Sequence, residues 1–183
     1  KSADFIDRRA KDGKPFFLWH NSTRNHVFLH LKKESQGQSR AGKEDIYGNA
    51  LKEHDAHVGQ LLDKLAQTGL DKNTIVIYAS DQGFFTGEHG WAEKRWMYEE
   101  SFKFPLLIRW PGNINPGTRV DALVQNIDLA PTLLSAVGLA VPKEVHGQAL
   151  QPLLGGATPA DWRKDVLYTY YDGGTPKARG EYN

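Results

Sequence analysis

Apolar residues recur with the spacing of a helical face in three segments of the chain. Each segment begins near a capping residue or ends at a glycine, which are the usual boundaries of helices. In the longest segment the apolar residues fall mostly on one face, and Gly69 follows its end. The pattern therefore predicts helices over Ser2–Asp12 and over residues 43–68 and 128–137.

Short continuous apolar runs between turn residues mark four further segments, which predicts strands over residues 16–19, 74–79, 106–109 and 166–171. The run at 74–79 is continuous and rich in β-branched residues, which is typical of a central parallel strand covered on both faces. Strands that alternate with helices predict an α/β fold. We expect the first three strands to be buried neighbours, with the helix at 43–68 packed on one face of their sheet.

Composition places the 183-residue chain among globular proteins, since 39% of its residues are hydrophobic and 25% are charged. A net charge of +1 offers no basic surface for a nucleic-acid partner. The absence of Cys excludes disulfides, Cys-bound zinc and a thiol nucleophile from this stretch. No apolar run is long enough to span a membrane, and the charged first residues do not form a signal peptide. Because residue 1 is not Met, we expect the chain to belong to a longer protein.

Polar residues directly follow the predicted strand at 74–79. In α/β sheets, catalytic and ligand-binding residues lie at the carboxyl ends of strands. Asp81 and Gln82 put a carboxylate and an amide oxygen side by side, and hard cations such as Ca²⁺ and Mg²⁺ prefer such ligands. Gly83 lets the chain turn sharply and approach a ligand closely. The alternative is that Asp81 only caps the following turn. His89, between two glycines, is by itself a weak signal of a site.

A second polar cluster, Lys94 to Ser101, mixes two cations and two carboxylates with aromatic residues. A Lys held close to a divalent ion needs an anion between them, and sulfate or phosphate is the natural candidate. The alternative is an ordinary solvated cluster of charges.

These segments, in this order, resemble the later half of type I sulfatases, members of the alkaline-phosphatase-like superfamily. The strongest matches are residues 81–90, 94–101 and 105–112, with sequences DQGFFTGEHG, KRWMYEES and PLLIRWPG. Further matches, in chain order, are PFFL at 15–18, TRNHV at 23–27, DAHVGQLLDKL at 55–65, DLAPTLL at 128–134 and HGQALQPLL at 146–154.

The resemblance implies a three-layer α/β fold, a sheet with helices on both faces. It assigns residues 1–160 to the later portion of the catalytic domain and residues 161–183 to the start of a truncated C-terminal subdomain. The fold is then expected to be incomplete at the N-terminus and in the C-terminal sheet. The rest of the sulfatase chain is an implied partner.

The family's divalent cation, usually Ca²⁺, is held by two early Asp residues and a later pair that Asp81 and Gln82 match. Mg²⁺ is the alternative ion. The cation contacts a formylglycine nucleophile, made from the Cys or Ser of a C/S-x-P-x-R motif. The chain contains no such motif. The resemblance therefore implies that the nucleophile and the two early Asp residues precede Lys1.

The resemblance also assigns roles to four further residues. Lys94 matches the lysine that contacts the sulfate group, and His26 matches the histidine near the leaving-group oxygen, which serves as a donor or general acid. His89 is expected to line the substrate pocket, and Arg95 to bind substrate beside Lys94. Phe28 and Leu29 stand where many family members have a nearby proline, so the loop around His26 departs from the family pattern.

The implied function of the parent protein is hydrolysis of a sulfate ester, with a sulfated carbohydrate or an aryl sulfate as substrate. One alternative is a phosphodiesterase or phosphonate monoester hydrolase of the same superfamily. Another is a non-catalytic carbohydrate-binding relic, in which exposed Trp residues stack on sugar faces. The resemblance also implies export, to a periplasm, a lysosome or the medium, and we expect this chain alone to be inactive.

Overall fold

The computed structural model describes residues 1–22 and 29–168 of the chain. The chain forms two compact units, Lys1–Thr74 and Ile75–Asn183. Within the described residues, no helix is both long and apolar enough to cross a bilayer.

The first unit is built on two helices, α1 (Ser2–Asp12) and α2 (Ile46–Gln67). Both predicted helices are confirmed. Gly13 ends α1 in the left-handed region, with φ of 61°, and its amide donates to the Arg9 carbonyl oxygen at 3.0 Å. The two helices pack together through the buried Ile6 and an ion pair of 3.2 Å between Asp7 and Lys64.

Helix α2 begins three residues later than predicted because Asp45 is its N-cap. The Asp45 Oδ1 accepts a hydrogen bond of 2.8 Å from the Gly48 amide, which satisfies one of the unpaired donors of the first turn. The fully buried Asn49 then holds the preceding loop, since its side chain bonds to both the Ser39 amide and the Gly42 carbonyl oxygen.

The predicted strand at residues 16–19 is wrong. These residues have no regular structure, and no described segment pairs with them. Without a partner ladder a strand leaves its backbone groups unpaired. Phe17 and Trp19 are 67% and 76% exposed, although Phe16 packs edge-on against Phe5.

The second unit contains the strands β1 (Val76–Ala79), β2 (Phe85–Thr86), β3 (Ala92–Glu93) and β4 (Leu106–Arg109). It also contains the short helix α3 (Glu99–Phe102) and the helix α4 (Leu129–Ala136). Strand β1 pairs with β4, so the prediction that these two strands are neighbours is confirmed. The prediction of a parallel β1 is wrong, because residues 80–105 turn the chain back and β4 runs antiparallel.

Strand β4 is covered on one face. In β1, the strand predicted to be covered on both faces, the consecutive residues Val76, Ile77 and Tyr78 are all partly buried. The core consists of Leu150, Leu153 and Trp162, and Leu106 and Ile108 of β4 pack against it. Alternate residues of a strand point to opposite faces, and Leu107, between those two, is 66% exposed. The burial of β4 therefore alternates along the strand.

Helix α4 confirms the predicted helix at 128–137, but Asp128 does not cap it with its side chain. The Asp128 carboxylate instead accepts hydrogen bonds from the Gln125 and Gln148 amides, at 2.7 and 2.8 Å, and from Arg163. At the end of the described chain, residues 166–168 are not a strand. The rest of the predicted last strand, 169–171, lies outside the described residues.

Candidate active-site segment between the paired strands

Residues 80–105 join β1 to β4 and hold nearly all the site residues that the sequence predicts. Asp81 follows β1 after a single residue, and its side chain is exposed. The Ser80 hydroxyl donates to the Gln82 carbonyl oxygen at 3.0 Å and lies 3.4 Å from the Asp81 Oδ1. This tight turn presents the Asp81 carboxylate at the carboxyl end of the strand.

The backbone of Ser101 holds the next two residues of the turn. Its carbonyl oxygen accepts one hydrogen bond from the Gln82 Nε2 at 3.1 Å and another from the Gly83 amide at 3.0 Å. A Cβ at position 83 would overlap the Glu100 carbonyl oxygen, so only glycine fits this approach. Since the Gln82 amide nitrogen is used in this bond, its Oε1 is the side-chain atom that can ligate a cation.

The side chain of Ser101 reaches the second polar cluster. Ser101 is fully buried, and its hydroxyl donates to the Lys94 carbonyl oxygen at 2.5 Å. One residue thus joins the Asp81–Gln82 turn to the Lys94 loop. Sequence reasoning missed this role, because Ser101 stood only as the last residue of a charged segment. A serine among charged and aromatic residues is the available sequence signal.

A small hairpin of β2 and β3 lies between these two loops, with Phe85 paired to Glu93. Phe85 is fully buried, and three aromatic rings, those of His89, Trp91 and Tyr98, surround it at centroid distances of 5.9 to 6.3 Å. This packing fixes the base of the hairpin from which His89 and Lys94 extend.

His89 is half exposed and adopts a left-handed backbone conformation, with φ of 58°. Its Nε2 lies 3.2 Å from the Glu100 Oε1, and its ring stacks at a tilt on Tyr98, 5.0 Å between centroids. Left-handed conformations are uncommon for residues other than glycine and concentrate at functional sites. The neighbouring Glu88 accepts hydrogen bonds from its own amide and from the amide and hydroxyl of Thr86, which lower the pKa of its carboxyl group.

An open depression of about 390 Å³ lies beside Lys94, lined by Gly90, Trp91, Ala92, Glu93, Arg95 and Trp96. The Arg95 Nη1 lies 3.0 Å from the Glu93 Oε2, so the cation and the carboxylate present adjacent donors and acceptors at its rim. The rings of Trp91 and Trp96 meet edge-on, 3.9 Å between centroids. Glu93 also has a left-handed backbone, with φ of 77°.

The structure therefore brings the turn with Asp81 and Gln82 to the Lys94 loop. Arg95, the residue after Lys94, lines the depression. His89 joins the same segment through Glu100, whose carbonyl oxygen lies against Gly83. His26 falls outside the described residues.

Asp81 and Gln82 fit a hard divalent cation in the chemistry of their donors, since both can offer oxygen. They supply two side-chain ligands, and Ca²⁺ typically collects six to eight oxygens. Within residues 1–22 and 29–168, no three His, Asp or Glu side chains gather as a metal cluster. The described residues thus fit part of a cation site.

Comparison with known proteins identifies the class. Residues 87–181 match the C-terminal domain of the N-sulphoglucosamine sulphohydrolase family, which is more than half of the chain. The chain therefore belongs to this sulfatase family.

Curated relatives carry sulfatase names as well. The chain is 49% identical over 120 residues to an N-acetylglucosamine-6-O-sulfatase of Bacteroides thetaiotaomicron, a match that covers 64% of this chain and 22% of the relative. It is 43% identical over 115 residues to human N-acetylglucosamine-6-sulfatase, a match that covers 62% of this chain and 21% of the relative. The matches span about a fifth of the length of these relatives.

Solved structures agree in fold. One relative, solved in complex with its substrate D-glucosamine-2-N,6-O-disulfate, gives a TM-score of 0.69 at 45% identity, and the match covers 71% of this chain and 27% of that one. A sulfatase from Pseudoalteromonas gives a TM-score of 0.75 at 26% identity, and the match covers 92% of this chain and 35% of that one. A phosphonate monoester hydrolase from Silicibacter pomeroyi gives a TM-score of 0.60 at 37% identity, and the match covers 64% of this chain and 23% of that one. The structural neighbours include sulfatases of the alkaline-phosphatase-like fold.

Proposed function

We propose that this chain supplies cation-binding and sulfate-binding residues to a sulfatase that hydrolyses the sulfate ester of a sulfated carbohydrate. An aryl sulfate is a second substrate of the same chemical class. The observation that carries the proposal is the link through Ser101, which joins the turn of Gln82 to the loop of Lys94. A sulfatase site needs a residue that binds the metal ion, here Gln82, close to a positively charged residue that binds the sulfate, here Lys94.

In this proposal Asp81 and the Gln82 Oε1 hold the divalent cation, Ca²⁺ or alternatively Mg²⁺. The cation and the family's formylglycine supply Lewis acidity and a nucleophile when they are present. The position of the two ligands just past β1 suits this role, because the strand gives the turn a rigid base. The Gln82 side chain is further fixed by its bond to Ser101.

Lys94 binds the sulfate oxygens and stabilises the charge that develops on them. Its loop is held by the Ser101 hydroxyl, so its ammonium group extends from a fixed backbone. His26 is proposed to serve the leaving-group oxygen as a donor or general acid. His89 and Arg95 are proposed to bind the rest of the substrate.

The proposed substrate class is a sulfated amino sugar or a glycan that contains it. The relatives named above are N-acetylglucosamine 6-sulfatases, and one solved relative holds a sulfated glucosamine. The depression beside Lys94 is lined by the Arg95–Glu93 pair and by two tryptophans. Charged pairs bond to sugar hydroxyls, and aromatic rings stack on sugar faces.

Several finer features are part of the same proposal. They are a three-layer arrangement of the complete fold, a catalytic domain that includes residues 1–160, and a C-terminal subdomain that begins at 161–183. The remainder of the sulfatase is the proposed structural partner, and export from the cytoplasm is the proposed location. Sulfatase relatives support these features by analogy.

A phosphonate monoester hydrolase is the second candidate, and the solved relative from Silicibacter pomeroyi favours it. Sulfate and phosphonate esters both place negative oxygens where Lys94 and a cation would bind them. Phosphonate ester hydrolysis is the second candidate because the relative solved with a sulfated glucosamine has the higher sequence identity, 45% against 37%. The carbohydrate-binding relic is the non-catalytic outcome of the test below.

The test is turnover by the complete protein of glucosamine 6-sulfate and of a phenyl phosphonate monoester, with and without a chelator. We expect sulfate release that the chelator abolishes and calcium restores. Asp81→Asn should remove nearly all of this activity and weaken calcium binding measured by calorimetry. Asp161→Asn, a change at another exposed aspartate, is the matched control. Faster phosphonate turnover would favour the second candidate, and sugar binding without turnover would favour the relic.

A further inference from the structure

Ser101 contacts two loops at once, through two different chemical groups. Its carbonyl oxygen accepts hydrogen bonds from the Gln82 side chain and the Gly83 amide, and its hydroxyl donates to the Lys94 carbonyl oxygen. We propose that Ser101 is a positioning residue that fixes Lys94 relative to the cation-binding turn. The inference rests on the proposed function, because it assumes that Lys94 and Gln82 act on the same substrate.

The burial of Ser101 makes its hydroxyl bond specific. The residue is 0% exposed, so water cannot replace a lost partner. The hydroxyl donates its hydrogen bond to the Lys94 carbonyl oxygen. A side chain without the hydroxyl would leave the loop of Lys94 without this anchor.

The other contact fixes Ser101 itself. Its amide bonds to the Tyr98 carbonyl oxygen at 3.0 Å, which places it in the turn of α3. The missing Cβ of Gly83 lets the two backbones approach, so Ser101 is held against the cation-binding turn. Movement of the Lys94 loop relative to that turn therefore requires the Ser101 hydroxyl bond to lengthen or break.

This geometry predicts a specific kinetic coupling. A donor that stabilises transition-state charge must sit within a fraction of an ångström of its place. Loosening the Lys94 backbone should therefore lower kcat and leave calcium affinity nearly unchanged, because the Ser101 carbonyl oxygen stays in place. Loss of the Ser101 hydroxyl should lower kcat only while the Lys94 ammonium group is present.

A double-mutant cycle on the complete protein tests this, with Ser101→Ala, Lys94→Ala and the double variant assayed on glucosamine 6-sulfate. Loss of one buried hydrogen bond corresponds to a roughly five- to tenfold lower kcat for Ser101→Ala. In the Lys94→Ala background the same change should lower kcat less than twofold. Equal losses in both backgrounds would overturn the inference and leave a merely structural role for Ser101.

Amide hydrogen exchange gives a second readout that does not depend on turnover. In Ser101→Ala, residues 91–98 should exchange faster, and the α4 amides should keep their wild-type rates. Ser135→Ala, an exposed serine of α4, is the matched control and should leave residues 91–98 unchanged. Unchanged exchange at 91–98 in Ser101→Ala, or an increase of similar size throughout the chain, would overturn the inference.

The two readouts separate this inference from the proposed function. A wild-type protein without sulfate release would contradict the proposed function, and hydrogen exchange would still decide whether Ser101 anchors the Lys94 loop. An active wild type with additive losses in the cycle would retain the proposed function and reject the role of Ser101. Ser101→Cys, which keeps a weak donor on a slightly larger side chain, should fall between wild type and Ser101→Ala in both measurements.

Discussion

Arg163 and Asp128 form a bidentate ion pair, in which each Nη of the guanidinium lies 2.7 Å from a different carboxylate oxygen. Asp128 is fully buried, and the Arg163 side chain is 13% exposed. The same carboxylate accepts the amides of Gln125 and Gln148. Every oxygen of this buried charge is therefore bonded, and the pair ties the segment after Trp162 to the start of α4.

Asp128→Ala should lower the free energy of unfolding by about 3 to 5 kcal/mol, since it leaves a largely buried arginine and two amides without their acceptor. Urea denaturation of the complete protein measures the change. The control is Glu99→Ala, whose pair with Lys103 spans 3.9 Å between side chains that are 82% and 80% exposed. That pair should contribute at most about 1 kcal/mol. Similar losses in both variants would contradict the importance of the buried pair.

Gly83→Ala should reduce both calcium affinity and kcat, because its Cβ would force the Glu100–Ser101 backbone away from the turn of Asp81 and Gln82, the proposed cation ligands. Calorimetry of calcium binding and steady-state kinetics measure the two effects. Gly59→Ala is the matched control: nothing lies within 4 Å of its added Cβ. Because Gly59 lies inside α2, alanine there should instead stabilise the protein, by about 1 kcal/mol. Normal calcium binding in Gly83→Ala would show that the close approach is dispensable.

Lys94→Ala should lower kcat by about 10²-fold, the scale for removal of one preorganised donor to developing negative charge. We expect KM to change much less than kcat. Initial-rate kinetics on a sulfate ester separate these parameters. The control is Lys103→Ala, which removes a highly exposed lysine that follows α3. A raised KM with normal kcat would assign Lys94 to ground-state binding alone.

The N-cap of α2 should contribute stability that depends on pH. Hydrogen bonds from the Ser39 side chain and the Gly48 amide lower the pKa of Asp45 below its ordinary 3.8. A lowered folded-state pKa means that the contribution is present above pH 3.8 and is lost as the pH falls through the folded-state value. Wild type should be more stable than Asp45→Ala at pH 7, and the gap should narrow below about pH 4.

Urea unfolding from pH 7 to pH 3 measures this gap. Asp45→Asn keeps a capping acceptor that does not titrate, so its stability relative to Asp45→Ala should stay nearly constant over the range. If the difference in unfolding free energy between wild type and Asp45→Ala is also constant over this range, the Asp45 charge adds nothing to the cap.

Local signals predicted the helices well, because capping and periodicity act within a few residues. Gly13 ends α1 as those signals require, whereas the Asp45 cap starts α2 later than the predicted residue 43. Strand pairing depends on residues far apart in the chain, and here the predictions failed at several points, among them residues 166–168. The apolar run at 16–19 meets no partner among the described residues, and the direction of β4 is set by the return of residues 80–105.

The site divides in a similar way. Asp81, Gln82 and Lys94 could be selected as candidate site residues from the sequence, because their side-chain types alone suggest metal binding and anion binding. Their roles remain predictions. Ser101 could not be chosen, because its contribution lies in a buried hydroxyl and a backbone oxygen that face two loops only after folding. Positioning by backbone atoms leaves almost no trace in sequence.

The pairing of Ala79 with Leu106 has a consequence for how such a protein can diversify. The whole segment 80–105 leaves and re-enters the sheet at this single rung. Changes of its length then cost mainly loop-closure entropy, about 0.6 kcal/mol for each doubling, and leave the strand register intact. Within this segment, the exposed rim around Arg95 and Trp96 can therefore change in length and sequence while the pairing of β1 with β4 stays the same.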